Sequence, residues 1–330
     1  MANNASNSMN KALMVLMLVA ASGLAQAQAQ AWPSKPLRWV IPFVPGGGLD
    51  IITRSYAPYL GAALGQAVVP ENRPANAGIL ALEYVAKAAP DGYTLLTFGP
   101  GSLTYNKFIY ADVKYDADRD FAPVTLLVNA PMALYVNAAV PAQSLGEFIA
   151  LAKAPGSKLN YGAPGHGHIF HLAMELFKDR AGTDIQFVPY KGSAPVIQDM
   201  VAGNIHAAFN PVTSQLISLI KAGKIRALAA GGDARLRDLP EVPTATESGV
   251  KDYYAMGGFA LYATGGTPRD IILRLNREVG KLSTQAEVVK IHEGQNLLIA
   301  VGTPEELLAR QRREYEIWAP MIKRLGIKAQ

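Results

Sequence analysis

The sequence predicts an α/β protein made of two lobes joined by crossing strands. The chain of 330 residues is 50% hydrophobic and 17% charged, a globular composition that can bury two cores. Short apolar runs alternate with segments whose apolar residues recur at helical spacing, which is typical of sheets covered by helices. This alternation begins near residue 37 and begins again near residue 124, which indicates two α/β units.

Residues 1–31 are typical of a secretory signal peptide rather than of a folded domain. Lys11 precedes an apolar run at Ala12–Ala21, and small-x-small sites follow it, which is the order of a cleavable export signal. The alternative is a membrane anchor, but the run is too short to cross about 30 Å of hydrocarbon. We therefore expect a periplasmic protein without direct membrane insertion. Cleavage can follow Ala27, Ala29 or Ala31.

The first unit is predicted as β-α-β-α-β. Its strands are Leu37–Val44, Ala67–Pro70 and Tyr93–Phe98, and its helices begin at Asp50 and cover Asn76–Ala89. Short connections between these elements indicate a parallel sheet covered by helices. The loops that follow its strands then share one edge, where open parallel sheets bind ligands.

The second unit repeats this alternation, and a helical tail follows it. Its predicted strands are Val124–Val128, Ala133–Val136, Leu159–Tyr161, Ile185–Pro189, His206–Phe209 and Ile225–Ala229. Its predicted helices are Ser144–Lys153, Ile169–Arg180, Ala194–Ala202 and Thr213–Ala222. A further strand at Phe259–Ala263 precedes helices at Arg269–Lys281, Ala286–Glu293 and Pro304–Leu325.

Two connections, near residues 128–134 and 255–264, are interpreted as the crossing strands of a hinge. On this interpretation the C-terminal helices return to the first lobe. The predicted division is residues 32–130 plus 257–330 for lobe one and residues 131–256 for lobe two.

Charge and cysteine content narrow the possible partners. The 31 basic and 26 acidic residues give a net charge of +5, which suits nucleic acid, a membrane surface or an acidic small molecule. Export argues against nucleic acid, and no basic amphipathic helix supports membrane binding. The absence of cysteine excludes a disulfide scaffold, a thiol nucleophile and a zinc site built on Cys. An acidic small molecule is the remaining partner.

Two glycine-rich loops of the first unit are candidate anion cradles. Glycines let backbone amides approach a ligand, and a helix start adds positive partial charge. The first loop has neither a P-loop Lys nor a G-x-G-x-x-G pattern, which argues against a nucleotide. The alternative for both loops is a plain turn, in the first with Asp50 as a helix cap. The candidate residues are Gly47, Gly48, Leu49, Asp50, Gly99, Gly101, Ser102 and Thr104.

A third candidate loop holds three of the five histidines within six residues. One interpretation is a metal site with Glu175 as its carboxylate. A second is another anion cradle, formed by helix-start amides and imidazole donors. A third places one histidine on the helix surface and the others in an ordinary loop. The residues concerned are Gly165, His166, Gly167, His168 and His171.

Polar residues follow two later strands of the second unit. Asn210 and Thr213 can either donate to a carboxylate or cap a helix. Lys191 can face an anion or be solvated. On the C-terminal helix, Arg313 and Glu314 are interpreted as part of a solvated charged face rather than of a nucleic-acid patch.

No enzyme signature stands out in this sequence. There is no G-x-S-x-G elbow, no H-E-x-x-H pair and no P-loop, and the carboxylates are scattered. We therefore expect a protein that is not an enzyme and that needs neither a cofactor nor a metal. The competing hypothesis is a periplasmic metal-dependent enzyme that uses His166, His168 and His171.

Ordered motifs along the whole mature chain resemble the Bug-type solute-binding proteins, the extracytoplasmic receptors of tripartite tricarboxylate transporters. The segments that carry the resemblance are Trp32–Arg38, Ile41–Asp50, Glu71–Pro74, Ala89–Leu95, Asp120–Val124, Lys158–Tyr161, Val188–Ser193, Ile220–Ala229 and Gly302–Glu306.

The resemblance implies a two-lobed periplasmic-binding-protein fold, the type II Venus flytrap, with a hinge of crossing strands. It implies capture of a small carboxylate and delivery to the membrane permease subunits of a tripartite transporter. A ligand-sensing receptor for a membrane kinase would share this fold. The ligand-binding residues it implies are Phe43 as an aromatic wall, Gly47–Asp50, Gly99, Gly101, Ser102, Thr104, Gly165–His168, His171, Asn210, Thr213 and Ser214.

Two departures from the family pattern bear on the ligand. Leu49 stands where relatives commonly have Thr, which removes a hydroxyl and adds apolar wall. Asn210 stands where relatives often have Asp, which weakens the case for an amino-acid ligand. Together with the added imidazoles, these departures favour a dicarboxylate or an aromatic carboxylate.

Overall fold

Two sheets and ten helices make up the part of the chain that this computed structural model describes, residues 32–74 and 78–329. The strands are β1 (Leu37–Ile41), β2 (Val68–Asn72), β3 (Thr94–Phe98), β4 (Phe121–Ala130), β5 (Met132–Asn137), β6 (Asn160–Ala163), β7 (Gln186–Pro189), β8 (Ala207–Pro211), β9 (Ile225–Ala230), β10 (Gly257–Thr264) and β11 (Leu298–Ile299). The helices are α1 (Gly48–Leu64), α2 (Ile79–Ala86), α3 (Pro100–Ile109), α4 (Leu145–Lys153), α5 (Ile169–Ala181), α6 (Ser193–Ala202), α7 (Ser214–Lys221), α8 (Arg269–Leu282), α9 (Ala286–Gly294) and α10 (Pro304–Leu325).

The first sheet combines strands from both ends of the chain. Its order is β11-β4-β10-β3-β1-β2, with β1 parallel to both β2 and β3. Strand β10 enters between β3 and β4 and is antiparallel to both. The carboxyl ends of β1 and β3 therefore lie at one edge of this sheet, and α1 and α3 begin there.

The second sheet has the order β7-β6-β8-β5-β9. Strand β6 is parallel to β7 and β8, while β5 is antiparallel to β8 and β9. The helices α5 and α7 begin after β6 and β8, so the second sheet also presents helix starts at one edge.

Two crossings join the sheets. Strand β4 continues into β5 through Pro131, and residues 231–256 lead from β9 back to β10. These crossings are bonded to each other, because the Gly231 amide donates to the Met132 carbonyl over 2.8 Å and the Ala255 amide donates to the Gly231 carbonyl over 2.7 Å. The predicted α/β architecture with crossing hinge strands is confirmed, and the exact lobe boundaries stay a prediction.

The first helix after β3 differs from the prediction, which placed a glycine-rich loop at Gly99, Gly101 and Ser102. The structure has α3 from Pro100, with Gly99 as its N-cap. Proline fits the first turn of a helix because its fixed φ suits that turn and its missing N–H would have no partner there. The Pro-Gly pair therefore starts a helix here rather than a turn.

The C-terminal helix α10 contacts both lobes. Thr303 and Glu306 form a capping box at its start. Near its end, Trp318 is buried with its ring centroid 6.4 Å from that of Tyr105 on α3. Trp318 belongs to the same apolar cluster as Phe148 and Phe177 of the second unit. The helix thus links the core of the second sheet to α3, beside the edge where the first sheet ends.

The predicted signal peptide at residues 1–31 lies outside the described residues. Within the ranges that are described, no helix is both long enough and apolar enough to cross a membrane.

Candidate functional site

A cavity of about 360 Å³ lies between the two sheets, beside the crossing strands. Helix starts from both lobes and residues of both crossings contribute to it. Its lining consists of Phe43, Gly47–Leu49, Phe98–Ser102, Tyr105, Asn106, Tyr110, Ala130, Met132, Gly167–Phe170, Pro211, Met256–Phe259 and Glu314.

The start of α1 offers free backbone donors to this cavity. The first intrahelical hydrogen bond runs from the Ile51 amide to the Gly47 carbonyl over 3.0 Å, so the amides of Gly48, Leu49 and Asp50 have no acceptor within the helix. Gly47 is the N-cap and supplies no side-chain cap. Such a helix start favours an anion through its amides and its dipole.

Gly48 also lets the backbone approach the aromatic wall of the cavity. A Cβ atom at this position would lie 3.3 Å from the Phe259 ring, tighter than ordinary van der Waals contact. The absence of a side chain therefore leaves room for a ligand at the amides of this turn.

The start of α5 is organised differently, because a histidine caps it. The His168 Nδ1 atom accepts a hydrogen bond from the Phe170 amide over 3.3 Å. Burial lowers the pKa of His168 to about 4, so its imidazole is neutral at pH 7. A neutral cap leaves the positive end of the helix dipole uncompensated on the cavity side.

The start of α3 meets a carboxylate that belongs to the protein. The Glu314 carboxylate of α10 lies directly against Gly101. A Cβ atom at Gly101 would collide with the Glu314 carboxylate, so the close approach requires glycine. Nearby, the Ser102 and Tyr105 hydroxyls lie 2.9 Å apart. This helix start is therefore already occupied by an anion.

Aromatic and other apolar side chains form most of the remaining wall. Phe43 stacks on Phe98 with ring centroids 6.1 Å apart and an interplanar angle of 12°. Phe170, Phe259 and Met256 add further apolar surface. The cavity thus combines a few backbone donors with an apolar interior, which is typical of sites for small molecules with an apolar body.

Nine of the predicted site residues line the cavity. They are Phe43, Gly47, Gly48, Leu49, Gly99, Gly101, Ser102, Gly167 and His168. The cavity wall does not include Asp50, Thr104, Gly165, His166, His171, Asn210, Thr213 or Ser214.

Asp50 holds the first loop together from behind. Its carboxylate accepts hydrogen bonds from the Gly46 amide over 2.9 Å, from Arg54 over 2.8 Å and from Asn72 over 2.9 Å. Burial alone would raise the pKa of Asp50, but these donors and the charge of Arg54 hold it below its usual range. The side chain therefore shapes the glycine turn that presents the α1 amides.

Other polar residues that were predicted as site residues have local roles or are buried. Thr213 caps α7 by accepting from the Leu216 amide over 3.3 Å. Thr104 donates to the Gly101 carbonyl over 2.8 Å within α3. Asn210 is buried, and neither atom of its amide group has a partner among the described residues. Of the two sequence interpretations of Thr213, the structure has the helix cap.

The histidine cluster packs against aromatic rings. The His171 Nδ1 atom accepts from the Gly167 amide over 3.3 Å, and its ring centroid lies 4.3 Å from that of Phe187. Glu175, the carboxylate that the metal hypothesis requires, accepts from Tyr161 over 2.6 Å and from Lys178 over 2.8 Å. Among the residues described, no group of three His, Asp or Glu side chains is arranged to hold a metal ion. The observed contacts favour a packing role for this cluster.

Several cavity residues were missed by sequence reasoning, and Glu314 was placed wrongly. The solvated face predicted for Glu314 is incorrect, because the residue is 4% exposed. Helical spacing contained the signal, since Glu314 follows the buried Leu307 by seven residues and precedes the buried Trp318 by four. The sequence around residues such as Met132 and Phe259 does not indicate a binding site. They reach the cavity only because the strands cross there.

Three histidines whose pKa values are lowered by burial predict a loss of stability in mild acid, and the first of them is His168, with a pKa of about 4. Burial lowers the pKa of His171 to about 4 against the attraction of Glu175, and burial also lowers the pKa of His292 to about 4. Between pH 6.5 and pH 4 the unfolded chain takes up these protons and the folded chain does not, so stability falls as the pH falls through this range.

We expect the free energy of unfolding to drop by roughly 2 kcal/mol per histidine between pH 7 and pH 5. Urea unfolding at pH 7, 6 and 5 measures the slope. The variant His292→Gln is expected to remove about a third of it. A free energy of unfolding that does not change over this range contradicts the prediction.

The fold and the cavity define a two-lobed solute-binding receptor, a class in which the ligand lies between lobes connected by crossing strands. A family model described as the tripartite tricarboxylate transporter family receptor matches residues 52–327. The chain belongs to this family, which confirms the resemblance drawn from the sequence motifs.

Individual relatives agree with this assignment. The chain is 35% identical to a protein from Pseudomonas sp. (strain P51) described as "UPF0065 protein in tcbD-tcbE intergenic region", over 96% of this chain and 94% of that one. It is 31% identical to Protein BugT of Bordetella pertussis, over 94% and 96% of the two chains. A solved structure, R. palustris Rpa4515 with adipate, has 34% identity and a TM-score of 0.74, and it covers 90% of this chain and 99% of the other. The predicted periplasmic-binding-protein fold is confirmed.

Proposed function

We propose that this protein captures a small carboxylate in the periplasm and delivers it to the membrane subunits of a tripartite transporter. The single observation that carries the proposal is the interlobe cavity, where the open amides of α1 meet an apolar aromatic wall. The amides suit a carboxylate because charge-assisted hydrogen bonds in a partly dry site are strong. The wall suits an apolar or aromatic body.

The family supports the receptor role, and the adipate-bound relative supports a carboxylate ligand. A dicarboxylate and an aromatic carboxylate, the two ligand classes predicted from the sequence, both fit this combination of donors and rings. The first contacts proposed for the ligand are Phe43, Gly47, Gly48 and Leu49 from lobe one, with Gly167 and His168 from lobe two. The predicted residues behind the wall, such as Asp50 and His171, then act by shaping these loops.

Closure of the lobes supplies the proposed mechanism. A ligand that touches both α1 and the start of α5 has a higher affinity for the closed state than for the open one, so it shifts the population toward closure. The two crossings absorb the change in backbone angles. The closed form then presents a composite surface to the transporter. Export through the predicted signal peptide places the receptor where this docking can occur.

The enzyme hypothesis has less support than the receptor. It depends on His166, His168 and His171 acting together on a metal, and Glu175 is engaged by Tyr161 and Lys178. A sensory receptor that presents its ligand to a membrane kinase would use the same cavity, and the family description favours the transport role.

A panel of carboxylates tests the proposed function directly. Adipate, malate, benzoate and phenylacetate are titrated into the protein, with glycine, lysine and nicotinamide as comparison ligands. At a hundred times the dissociation constant, a bound carboxylate is expected to raise the melting temperature by about 5 °C. Melting curves and calorimetry measure the effect, and binding of the comparison ligands alone contradicts the proposal.

A matched pair of glycine variants locates the binding in the cavity. Gly48→Leu directs a side chain toward the Phe259 ring and is expected to weaken carboxylate binding at least tenfold. Gly146→Leu also lies in the first turn of a helix, but nothing surrounds its Cβ position within 4 Å. This control is expected to bind as the parent protein does.

A further inference from the structure

A carboxylate on the wall of a carboxylate-binding cavity needs an explanation. Among the described residues that line the cavity, Glu314 is the one side chain with a formal charge at neutral pH. His168 is neutral there because burial lowers its pKa to about 4. The site thus carries a fixed negative group and, in its described lining, no lysine or arginine.

Glu314 occupies the place that a ligand anion would take at the start of α3. Its carboxylate packs against Gly101, which leaves no space for a Cβ atom between the helix turn and the carboxylate. Helix starts attract anions through their amides and through the dipole. The protein therefore satisfies this helix start with its own side chain.

Arg310 balances the charge of Glu314 from the side of the hinge. Its Nε atom donates to Glu314 one helical turn away on α10. Its other nitrogen atoms donate to the Asn129 side chain over 2.6 Å and to the carbonyls of Met256 and Gly257 over 3.3 and 3.4 Å. Arg310 is thus bound to both strands that lead into the crossings, and it is not part of the cavity wall.

Arg310 and Glu314 form a buried ion pair, and only Glu314 faces the cavity. Burial raises the pKa of Glu314 above its usual range, and the charge and hydrogen bond of Arg310 oppose part of that rise by stabilising the ionised carboxylate. A buried carboxylate with a hydrogen-bonded partner of opposite charge can stay ionised. A ligand at this end of the cavity therefore meets the negative member of the pair first.

We propose that Glu314 sets the charge selectivity of the cavity, so that the end of the ligand that reaches α3 is uncharged. The inference rests on the proposed function and refines it, because it selects between the two ligand classes. A monoanionic carboxylate with an apolar or aromatic body places its carboxylate at α1 and its body along Phe43 and Phe98. A dianion of the same length brings its second carboxylate toward Glu314, where like charges repel.

Matched ligands that differ only in the second carboxylate measure this selectivity. Hexanoate is compared with adipate and benzoate with terephthalate, by calorimetry at pH 7.5. The parent protein is expected to bind the monoanion of each pair roughly tenfold or more tightly than the dianion, because like charges close together in a partly buried site repel strongly.

Three variants assign the selectivity to the ion pair. E314Q removes the negative charge and leaves Arg310 unpaired, so the ratio of affinities is expected to move toward the dianion by roughly tenfold or more. R310Q removes the cation that stabilises the ionised form of the buried Glu314, so Glu314 is expected to take up a proton and the ratio is expected to move toward the dianion as well. The control R313Q breaks a pair with Asp233, outside the cavity wall, and is expected to keep the parent ratio.

The outcomes separate this inference from the proposed function. If no carboxylate of either charge binds the parent protein, the proposed function fails. If carboxylates bind and the parent prefers both dianions, or E314Q keeps the parent ratio, the inference about Glu314 is overturned. The preference of the parent protein tests the inference even if a variant does not fold, and melting curves identify that case.

Discussion

Replacing Trp318 by Ala is expected to lower the free energy of unfolding by about 4 kcal/mol, among the largest effects of any single truncation in this chain. Trp318 is 1% exposed and lies in the apolar cluster that joins α3, α10 and the second sheet. Its removal leaves a cavity beside Tyr105, which itself lines the ligand cavity. The void lowers the free energy of unfolding for two reasons: less apolar surface is removed from water on folding, and the neighbouring side chains lose packing contacts.

Urea unfolding at neutral pH measures this change. Leu325→Ala, near the end of the same helix, is the control because Leu325 is 42% exposed, and its effect is expected within about 0.5 kcal/mol. The Trp318 variant is also expected to bind carboxylates more weakly, since Tyr105 loses a packing partner. A change below about 1 kcal/mol would show that α10 does not hold the lobes' shared core.

Gly231→Ala is expected to destabilise the protein by about 3 kcal/mol through the hinge. A Cβ atom here would overlap the carbonyl oxygen of Ala255, a backbone atom of the same crossing. The backbone cannot yield easily, because the Gly231 amide and carbonyl are both bonded, to Met132 and to Ala255. The added methyl group forces the crossing apart and shifts the strands that line the cavity.

The neighbouring glycine provides the matched control. A Cβ atom at Gly232 would meet the end of the Met256 side chain, which is flexible and can move aside. Gly232→Ala is therefore expected to cost less than about 1 kcal/mol. Unfolding measurements on both variants, with carboxylate binding as a second readout, test the difference. Equal effects of the two substitutions would contradict a rigid hinge contact at Gly231.

Local patterns predicted most of the architecture. Alternating apolar runs and helical spacing predicted the strands and helices of both sheets, because burial of one face leaves a period of two or 3.6 in the sequence. The helix α3 was missed because Pro100 and Gly101 are turn residues in most contexts. Only the carboxylate of Glu314 behind Gly101 explains why a glycine is required at that turn.

The candidate site was predicted only in part, because local sequence reveals the loops at helix starts but not the direction of each side chain. Glycine loops at helix starts are adjacent in sequence, so Gly47, Gly48, Gly99 and Gly101 were found. The direction of a polar side chain depends on partners far along the chain. Asp50 accepts a hydrogen bond from Asn72, which lies 22 residues further along the chain, so the sequence around Asp50 gave no sign of this contact.

The sequence by itself determined the class of this protein: its helix-start loops, its alternating elements and its family motifs are all carried by neighbouring residues. The tertiary structure decided which charged group lines the cavity. Arg310 and Glu314 are one turn apart on α10, yet they meet Gly101 and Asn129, which are about two hundred residues away. In the sequence alone, Arg310 and Glu314 are two opposite charges on one helix. Only the packing of the folded chain buries the pair at the hinge with its carboxylate facing the cavity.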